Sequence, residues 1–253
     1  MNKATLKEFH SFYQFQNLPS NVKAVFTKKP LNVGFVNQNE SQMSNNRKRI
    51  LSEIGLKLDN LVCSKQTHSN EVFIVGAGEA GRGARRFSDA INDVDAFITK
   101  EKNIALAVFT ADCVPVFIID KKRDIIALVH AGWKGTKQAI VKNVVFAMQQ
   151  VFETDSKDLA VYLGPAIRRC CFQVDKEFLG YFSRGIYRKK GKLFLDMIEL
   201  NSLQLREVGV LEDNIFDSEL CTNCEKDTFF SYRREKDKSG RQMSLIVIDN
   251  QDG

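Results

Sequence analysis

The chain predicts a mixed fold of the α/β or α+β kind, forming a single domain over residues 1–253. Three observations carry this. Short runs rich in Val, Ile and Phe follow one another through the middle of the chain, which is strand patterning. Helical periodicity interrupts those runs without strictly alternating with them, which argues against a regular doubly wound sheet. Pro is scarce, at four residues, and no Gly/Ser-rich linker, repeat or low-complexity tract marks a boundary.

Taken in order, Val22 to Thr27 reads as a strand, and Ser41 is placed to cap a helix running to about Ile54. Short strands follow at Leu61 to Lys65, Glu71 to Val75, Ala96 to Thr99, Ile104 to Phe109, Val116 to Ile119 and Ile125 to Val129. Beyond His130 the period changes. Ile140, Val144, Ala147, Met148 and Val151 share one helical face, the clearest helix in the chain. Leu159 to Leu163 is another strand, and Asp175 to Phe182 and Met197 to Val208 read as helices. Thr228 to Tyr232 and Met243 to Ile248 read as closing strands.

Hydrophobic residues make up 43% and charged residues 27%, a balance that supports a substantial core in a soluble chain. The opening MNKATLKEFHSFYQF lacks the apolar stretch of a secretory signal, and no apolar run reaches the ~18 residues of a spanning helix. The expectation is a cytoplasmic protein with no membrane partner, a monomer or a small homo-oligomer. Its six cysteines are then thiols, ligands or nucleophiles rather than a disulfide scaffold. The net charge of +6 suits anionic ligands. Its runs at Lys121–Arg123, Arg188–Lys192 and Arg233–Arg241 lack the aromatic interleaving of a single-strand binding surface, so nucleic acid is not an expected partner. No GxxxxGK[ST] occurs, which removes support for P-loop chemistry.

Of three histidines, His68 lies between two predicted strands and His130 ends the run DIIALVH. Cys113 lies in FTADCVPVF, where Pro115 predicts a strand interruption. Each sits at a strand end, where a rigid scaffold projects side chains into a cleft. Two imidazoles and a thiolate suit zinc, with a fourth position open for chemistry. The same residues also suit a Cys/His dyad with Cys113 as nucleophile and His130 as base, and sequence spacing does not separate the two. Gly132 and Gly135 flank Trp133 and Lys134 at a predicted helix start, a candidate anion site. Arg233, Arg234 and Arg241 stand among aromatics in FFSYRREKDKSGRQ and suit phosphate or carboxylate contacts. Cys221 and Cys224 form a lone CxxC. A structural zinc needs another pair, and Cys170–Cys171, being adjacent, is an unfavourable one. Cys63 and Cys171 are expected to pack as small apolar residues.

The strings KQTHSNEV, DAFIT, TADCVPVFIID, HAGWKG, LGPAIRRCCFQV, CTNC and FFSYRREKDKSGRQM occur in this order. Together they resemble the laccase-domain family, described variously as multicopper polyphenol oxidases, purine nucleoside phosphorylases with adenosine deaminase activity and, in bacteria, peptidoglycan editing factors. The match extends from LNVGF and the NNR at Asn45–Arg47 to MSLI near the end. The resemblance implies a single-domain layered sandwich of mixed sheets with flanking helices, similar to the catalytic domain of cytotoxic necrotising factor, and one Zn2+ held by His68, Cys113 and His130. It implies phosphorolysis of adenosine, inosine, guanosine and methylthioadenosine with inorganic phosphate as co-substrate, and hydrolytic deamination of adenosine. Arg47, Lys134, Arg233 and Arg241 are the candidate substrate contacts. Asp112 and Gln66 are candidate acid/base groups by adjacency alone. Alternatives are a peptidoglycan-precursor editing hydrolase at the same site and a metal-free Cys/His hydrolase. Lys134 stands where Arg is common, and Arg168–Arg169 where small residues usually follow GPAI, which leaves substrate preference open. Three histidines are too few for a multicopper centre.

Overall fold

Two sheets face one another at the centre of the molecule, in a computed structural model that describes residues 1–250. The last three residues of the expected domain lie outside the described residues. The seven-stranded mixed sheet runs, in spatial order, Asn2–Lys3, Ile215–Asp217, Leu159–Leu163, Val114–Asp120, Ile125–Ala131, Ala96–Thr99 and Val72–Ile74. The six-stranded sheet runs Leu6–Glu8, Phe12–Phe15, Val22–Thr27, Gln242–Ile248, Ala105–Thr110 and Leu61–Val62.

Side-chain alternation along the strands sorts the core into layers. Phe97, Phe117, Ile126 and Leu128 of the larger sheet meet Ala24, Phe26, Leu106 and Ile246 of the smaller one. The opposite residues of the larger sheet, among them Ile98, Val116 and Val129, pack under the helices Ile140–Phe152 and Met197–Glu207. The outer face of the smaller sheet, with Val25, Ala107 and Leu245, is covered by Ile50 and Leu51 of the helix Glu40–Glu53. The central strands are therefore buried on both faces, which is why they read as unbroken apolar runs. Each fully buried Val, Ile or Leu contributes about 1.5–3 kcal/mol, so Val144→Asp in the covering helix would open one outer layer.

The structure departs from the sequence expectations at definable points. Asn39, not Ser41, caps the first helix, in a reciprocal box with Gln42. Leu61 to Lys65 breaks at Cys63, so Leu61–Val62 joins the six-stranded sheet while Ser64–Lys65 pairs with Ile91–Asn92. Pro115 does not interrupt its strand. Pairing with Leu159–Leu163 begins only at Val116, so the missing N–H costs no ladder bond, and the Pro115 carbonyl accepts from Gly164 N–H at 2.9 Å. Thr228 to Tyr232 is not a strand. The Ser231 hydroxyl accepts from Arg234 N–H and starts the short helix Tyr232–Glu235 instead. Only Phe178–Tyr181 of the expected Asp175–Phe182 helix is helical. A small sheet of Gln173–Val174, Lys192–Leu195 and Ile186–Lys189 was not legible, because its strands are short and carry exposed lysines and arginines. Among the described residues no helix is long and apolar enough to cross a membrane.

Candidate metal centre

The two sheets are joined at one end by the turn Ala111–Cys113, which carries the chain from the strand Ala105–Thr110 to the strand Val114–Asp120. Asp112 in this turn has φ +94°, a conformation L residues rarely adopt. Three hydrogen bonds hold it. Its carboxylate accepts from Thr222 Oγ1 and Arg233 N–H, both at 2.6 Å, and its carbonyl accepts from Ile167 N–H at 2.9 Å. Both carboxylate oxygens of Asp112 thus act as a clamp beside Cys113 rather than as an acid or base. Gln66 is likewise engaged at both ends, exchanging amide bonds with the backbone of Phe109.

His130 shares its face of the strand with Ile126 and Leu128, and so points between the sheets at the end of the sandwich. His68 reaches the same place from a loop, at φ +61°. A left-handed residue there costs on the order of 1–3 kcal/mol unless its surroundings fix it. Asp95 supplies that. Its buried carboxylate accepts from the consecutive N–H groups of Thr67, His68 and Ser69, at 3.1, 3.1 and 2.7 Å, and from Ser69 Oγ at 2.8 Å. Its Oδ1 also accepts from His130 Nδ1 at 2.7 Å, which leaves Nε2 of that ring free. Asp95 therefore orients both imidazoles. Burial works against its charge, yet the bond and charge of His130 and the two bonds from Ser69 hold it at about 2.

The ligand atoms of His68, Cys113 and His130 all lie within 4.8 Å of one another, with Cys113 Sγ 3.8 Å from His68 Nε2. Burial pushes the Cys113 thiol up, but His130 and then His68 outweigh it and bring it to about 6. Burial pushes His130 down, and Cys113 and Asp95 outweigh that to raise it to about 9. Glycine is required nearby: a Cβ on Gly132 would stand 2.7 Å from the His68 ring and 3.2 Å from Cys113 Sγ. A Cβ on Gly135 would meet Ser69 O at 2.8 Å. The HAGWKG glycines thus serve close packing on the His68 loop, not an anion site, and the helix they open is only Trp133–Lys137.

The three residues stand in a cavity of about 650 Å³, walled by Phe35, Phe109, Trp133, Phe172 and Tyr232. Arg233 and Arg241 line it, as does Lys236, which sequence reasoning missed. Arg233 lies over the Phe172 ring and donates to Gln173 O at 2.8 Å. Arg241 uses Nη1 on Ser239 O and Gly240 O, both at 2.9 Å. The other two expected substrate contacts are not brought here. Lys134 is exposed, off the cavity, with its ammonium over Trp133. Arg47 is fully buried, donating to Val33 O, Gly83 O and Ala84 O, with its guanidinium 4.4 Å from the rings of both Phe35 and Phe109. Arg47 therefore supports the aromatic wall from behind. Asp95 was also missed as a chemical residue. Its one sequence signal is a carboxylate directly before the wholly buried strand Ala96–Thr99.

The sulfurs of Cys170, Cys171, Cys221 and Cys224 also converge, all within 4.8 Å of one another. The objection that adjacent cysteines cannot join the CxxC pair is thus overturned, as is the expectation that Cys171 only packs as an apolar residue. Residues 168–172 form a turn, where neighbouring side chains need not point to opposite faces.

Known proteins are similar throughout. The chain is 34% identical over 226 residues to purine nucleoside phosphorylase YlmD of Geobacillus stearothermophilus, covering 85% of this chain and 82% of that one. It is 34% identical over 209 residues to adenosine deaminase RL5 of an unknown prokaryotic organism, covering 79% of each. The crystal structure of YlmD from Geobacillus stearothermophilus superposes with a TM-score of 0.93 at 30% identity, over 99% of this chain and 100% of that one. The family model described as multi-copper polyphenol oxidoreductase laccase matches residues 22–249, and the chain belongs to that family.

Proposed function

We propose that the chain is a zinc-dependent purine nucleoside phosphorylase that also deaminates adenosine, working on small molecules in the cytoplasm. The observation that carries the reading is the convergence of His68, Cys113 and His130 in an aromatic cavity that also bears Arg233 and Arg241. The donor set fits one zinc. Nitrogen and sulfur ligands of a tetrahedral zinc stand about 3.6 Å apart, and Cys113 Sγ and His68 Nε2 are separated by 3.8 Å. When bound, zinc supplies Lewis acidity and an open coordination position.

The chain's own residues supply the rest. A thiol brought to about 6 is ionised at neutral pH, the form in which Cys113 is a ligand. Asp95 fixes the tautomer and tilt of His130. Trp133, Phe172 and Tyr232 offer planar faces to a purine base. Phosphorolysis of adenosine, inosine, guanosine or methylthioadenosine needs phosphate held against the ribose C1′ as positive charge develops there. Arg233 and Arg241, with Lys236 rather than Lys134, provide the cationic wall for it. Deamination adds water at C6 of adenosine and releases the amino group as ammonia, leaving inosine, in the same cavity.

A metal-free Cys/His hydrolase is the competing reading, favoured by the lowered Cys113 thiol beside a raised His130. One experiment separates them. Purified protein is incubated with adenosine, with and without phosphate, before and after chelation, and adenine and inosine are followed. Adenine release only with phosphate, lost by about 10³-fold on chelation and restored by zinc, is the expected result; several kcal/mol of Lewis-acid stabilisation corresponds to that factor. Full activity in zinc-free protein favours the dyad. No nucleoside turnover, with hydrolysis of a peptidoglycan precursor, favours cell-wall editing.

A further inference from the structure

The cysteine cluster lies outside the centre described above and plays no part in its chemistry. Among its sulfurs, Cys170 stands 3.6 Å from Cys171, 3.7 Å from Cys221 and 3.8 Å from Cys224, and Cys171 stands 3.4 Å from Cys224. We propose that Cys170, Cys171, Cys221 and Cys224 hold a second, structural zinc, which staples together two loops of the cavity wall.

Geometry carries the assignment. Four thiolates around one tetrahedral zinc, with zinc–sulfur bonds of about 2.3 Å, are spaced about 3.8 Å apart. Four of the six sulfur separations, from 3.4 to 3.8 Å, are at or below that spacing, and the other two are within 4.8 Å. All six cysteines of the chain are free thiols, so no disulfide accounts for the convergence. Soft sulfur ligands also suit iron–sulfur clusters, but a spread of no more than 4.8 Å leaves room for one ion, not several. Four protein ligands close the coordination shell, which is the mark of a structural rather than a catalytic site.

The surroundings suit a metal–thiolate centre. A backbone bridge between Ala166 and Cys221, with Thr222 N–H donating to Ala166 O at 3.1 Å, lays the CxxC turn beside the segment that leads into the cysteine pair. A divalent ion with four thiolates carries a net charge of about −2. Arg168, whose guanidinium is fixed by a two-pronged pair with Asp217, brings positive charge close to Cys221. Cys170 and Cys171 cannot reach the CxxC unless their turn is tight, and both Cys171 N–H and Phe172 N–H close it on Arg168 O, at 2.8 and 2.9 Å.

The staple acts on the first site through contacts already described. Ile167 and Phe172, on either side of the cysteine pair, line the cavity. Thr222, inside the CxxC, donates to the carboxylate of Asp112, which precedes Cys113 and also receives the Arg233 N–H. Fixing the Cys221–Cys224 turn against the Cys170–Cys171 turn therefore fixes the Asp112 clamp and the aromatic wall together.

The test is a count of zinc per chain by elemental mass spectrometry, in wild type, in C113S/H130A and in C221S/C224S, with cobalt(II) loading of C113S/H130A as a second measurement. The expected counts are two, one and one, and the cobalt form should show the intense sulfur-to-metal charge-transfer absorption of four thiolates. A wild-type count of one that persists in C221S/C224S overturns the proposal. So does a cobalt-loaded C113S/H130A protein without that absorption, a result that needs no variant of the cysteine cluster to fold. If the first centre holds no zinc, the count instead persists in C113S/H130A and falls in C221S/C224S, so the two assignments fail separately.

Discussion

The three-residue centre and the four-cysteine cluster both gather soft ligands from distant stretches of one chain, yet they are built differently. His130 stands on a core strand and His68 and Cys113 on a loop and a turn at the end of the sandwich, with a buried carboxylate holding His130 and the His68 loop, and all three face a cavity. Cys170, Cys171, Cys221 and Cys224 sit on turns, two of them exposed. Three ligands held rigidly at the end of a core leave a coordination position free for substrate. Four ligands on loops leave none and tie the loops to each other. On the two proposals above, the difference separates a site for chemistry from one that holds the wall of that site.

Removing the backing carboxylate should affect only one of the two. Asp95→Asn keeps the size of the side chain but loses the charge that pairs with His130 and gathers three N–H groups of the His68 loop. Zinc affinity of the first centre should fall by about 10–100-fold, with nucleoside turnover falling in step, while the zinc bound by the cysteine cluster is retained. Titration with a zinc chelator of known affinity reads both. Equal weakening of the two would mean that Asp95 acts on the whole fold rather than on the centre.

Proton release distinguishes the two centres next. In metal-free protein His130 is protonated up to about 9 and Cys113 is ionised above about 6. Between those values zinc must displace one proton, from His130, so affinity at the first centre should rise about tenfold per pH unit and level off above about 9. At the cluster, the hydrogen bond to Cys171 and burial hold the Cys224 thiol up to about 11, and burial and its sulfur neighbours raise Cys170 as well. More protons leave there, and the dependence should be steeper. Competitive zinc titrations in C221S/C224S and in C113S/H130A, across this pH range, give the two slopes. Equal slopes would contradict the contrast.

The smallest effects concern the cavity's charges. Arg241→Ala should raise KM for phosphate by about tenfold, as loss of one charge-assisted hydrogen bond would. Lys134→Ala should leave it unchanged, since Lys134 is exposed and off the cavity. Steady-state kinetics on inosine with varied phosphate checks both. A phosphate defect in the Lys134 variant alone would move the anion subsite out of the cavity.

Where the two regions differ in legibility, packing explains it. His68, Cys113 and His130 stand out as polar residues near the ends of apolar runs, and the motifs KQTHSNEV, TADCVPVFIID and HAGWKG group them as one ligand set through the family resemblance. The cysteine cluster was discounted because adjacent cysteines look divergent on an extended chain, and only the turn at residues 168–172 brings them together. Arg47 was misread for a related reason. It is expected to contact substrate, and nothing local shows that three backbone carbonyls and two aromatic rings enclose it instead.

By itself the sequence determined the mixed α/β class, the positions of the central strands, the helix Ile140–Phe152 and the strand-end positions of Cys113 and His130, because hydrophobic period and local turn chemistry are properties of neighbours along the chain. Only the tertiary structure decided that Asp95 reaches both the His68 loop and His130, that Arg233, Lys236 and Arg241 face the cavity while Arg47 and Lys134 do not, and that four sulfurs meet. Those relations depend on which strands pair and in what register, and a shift of one residue would turn His130 from the gap between the sheets to the opposite face.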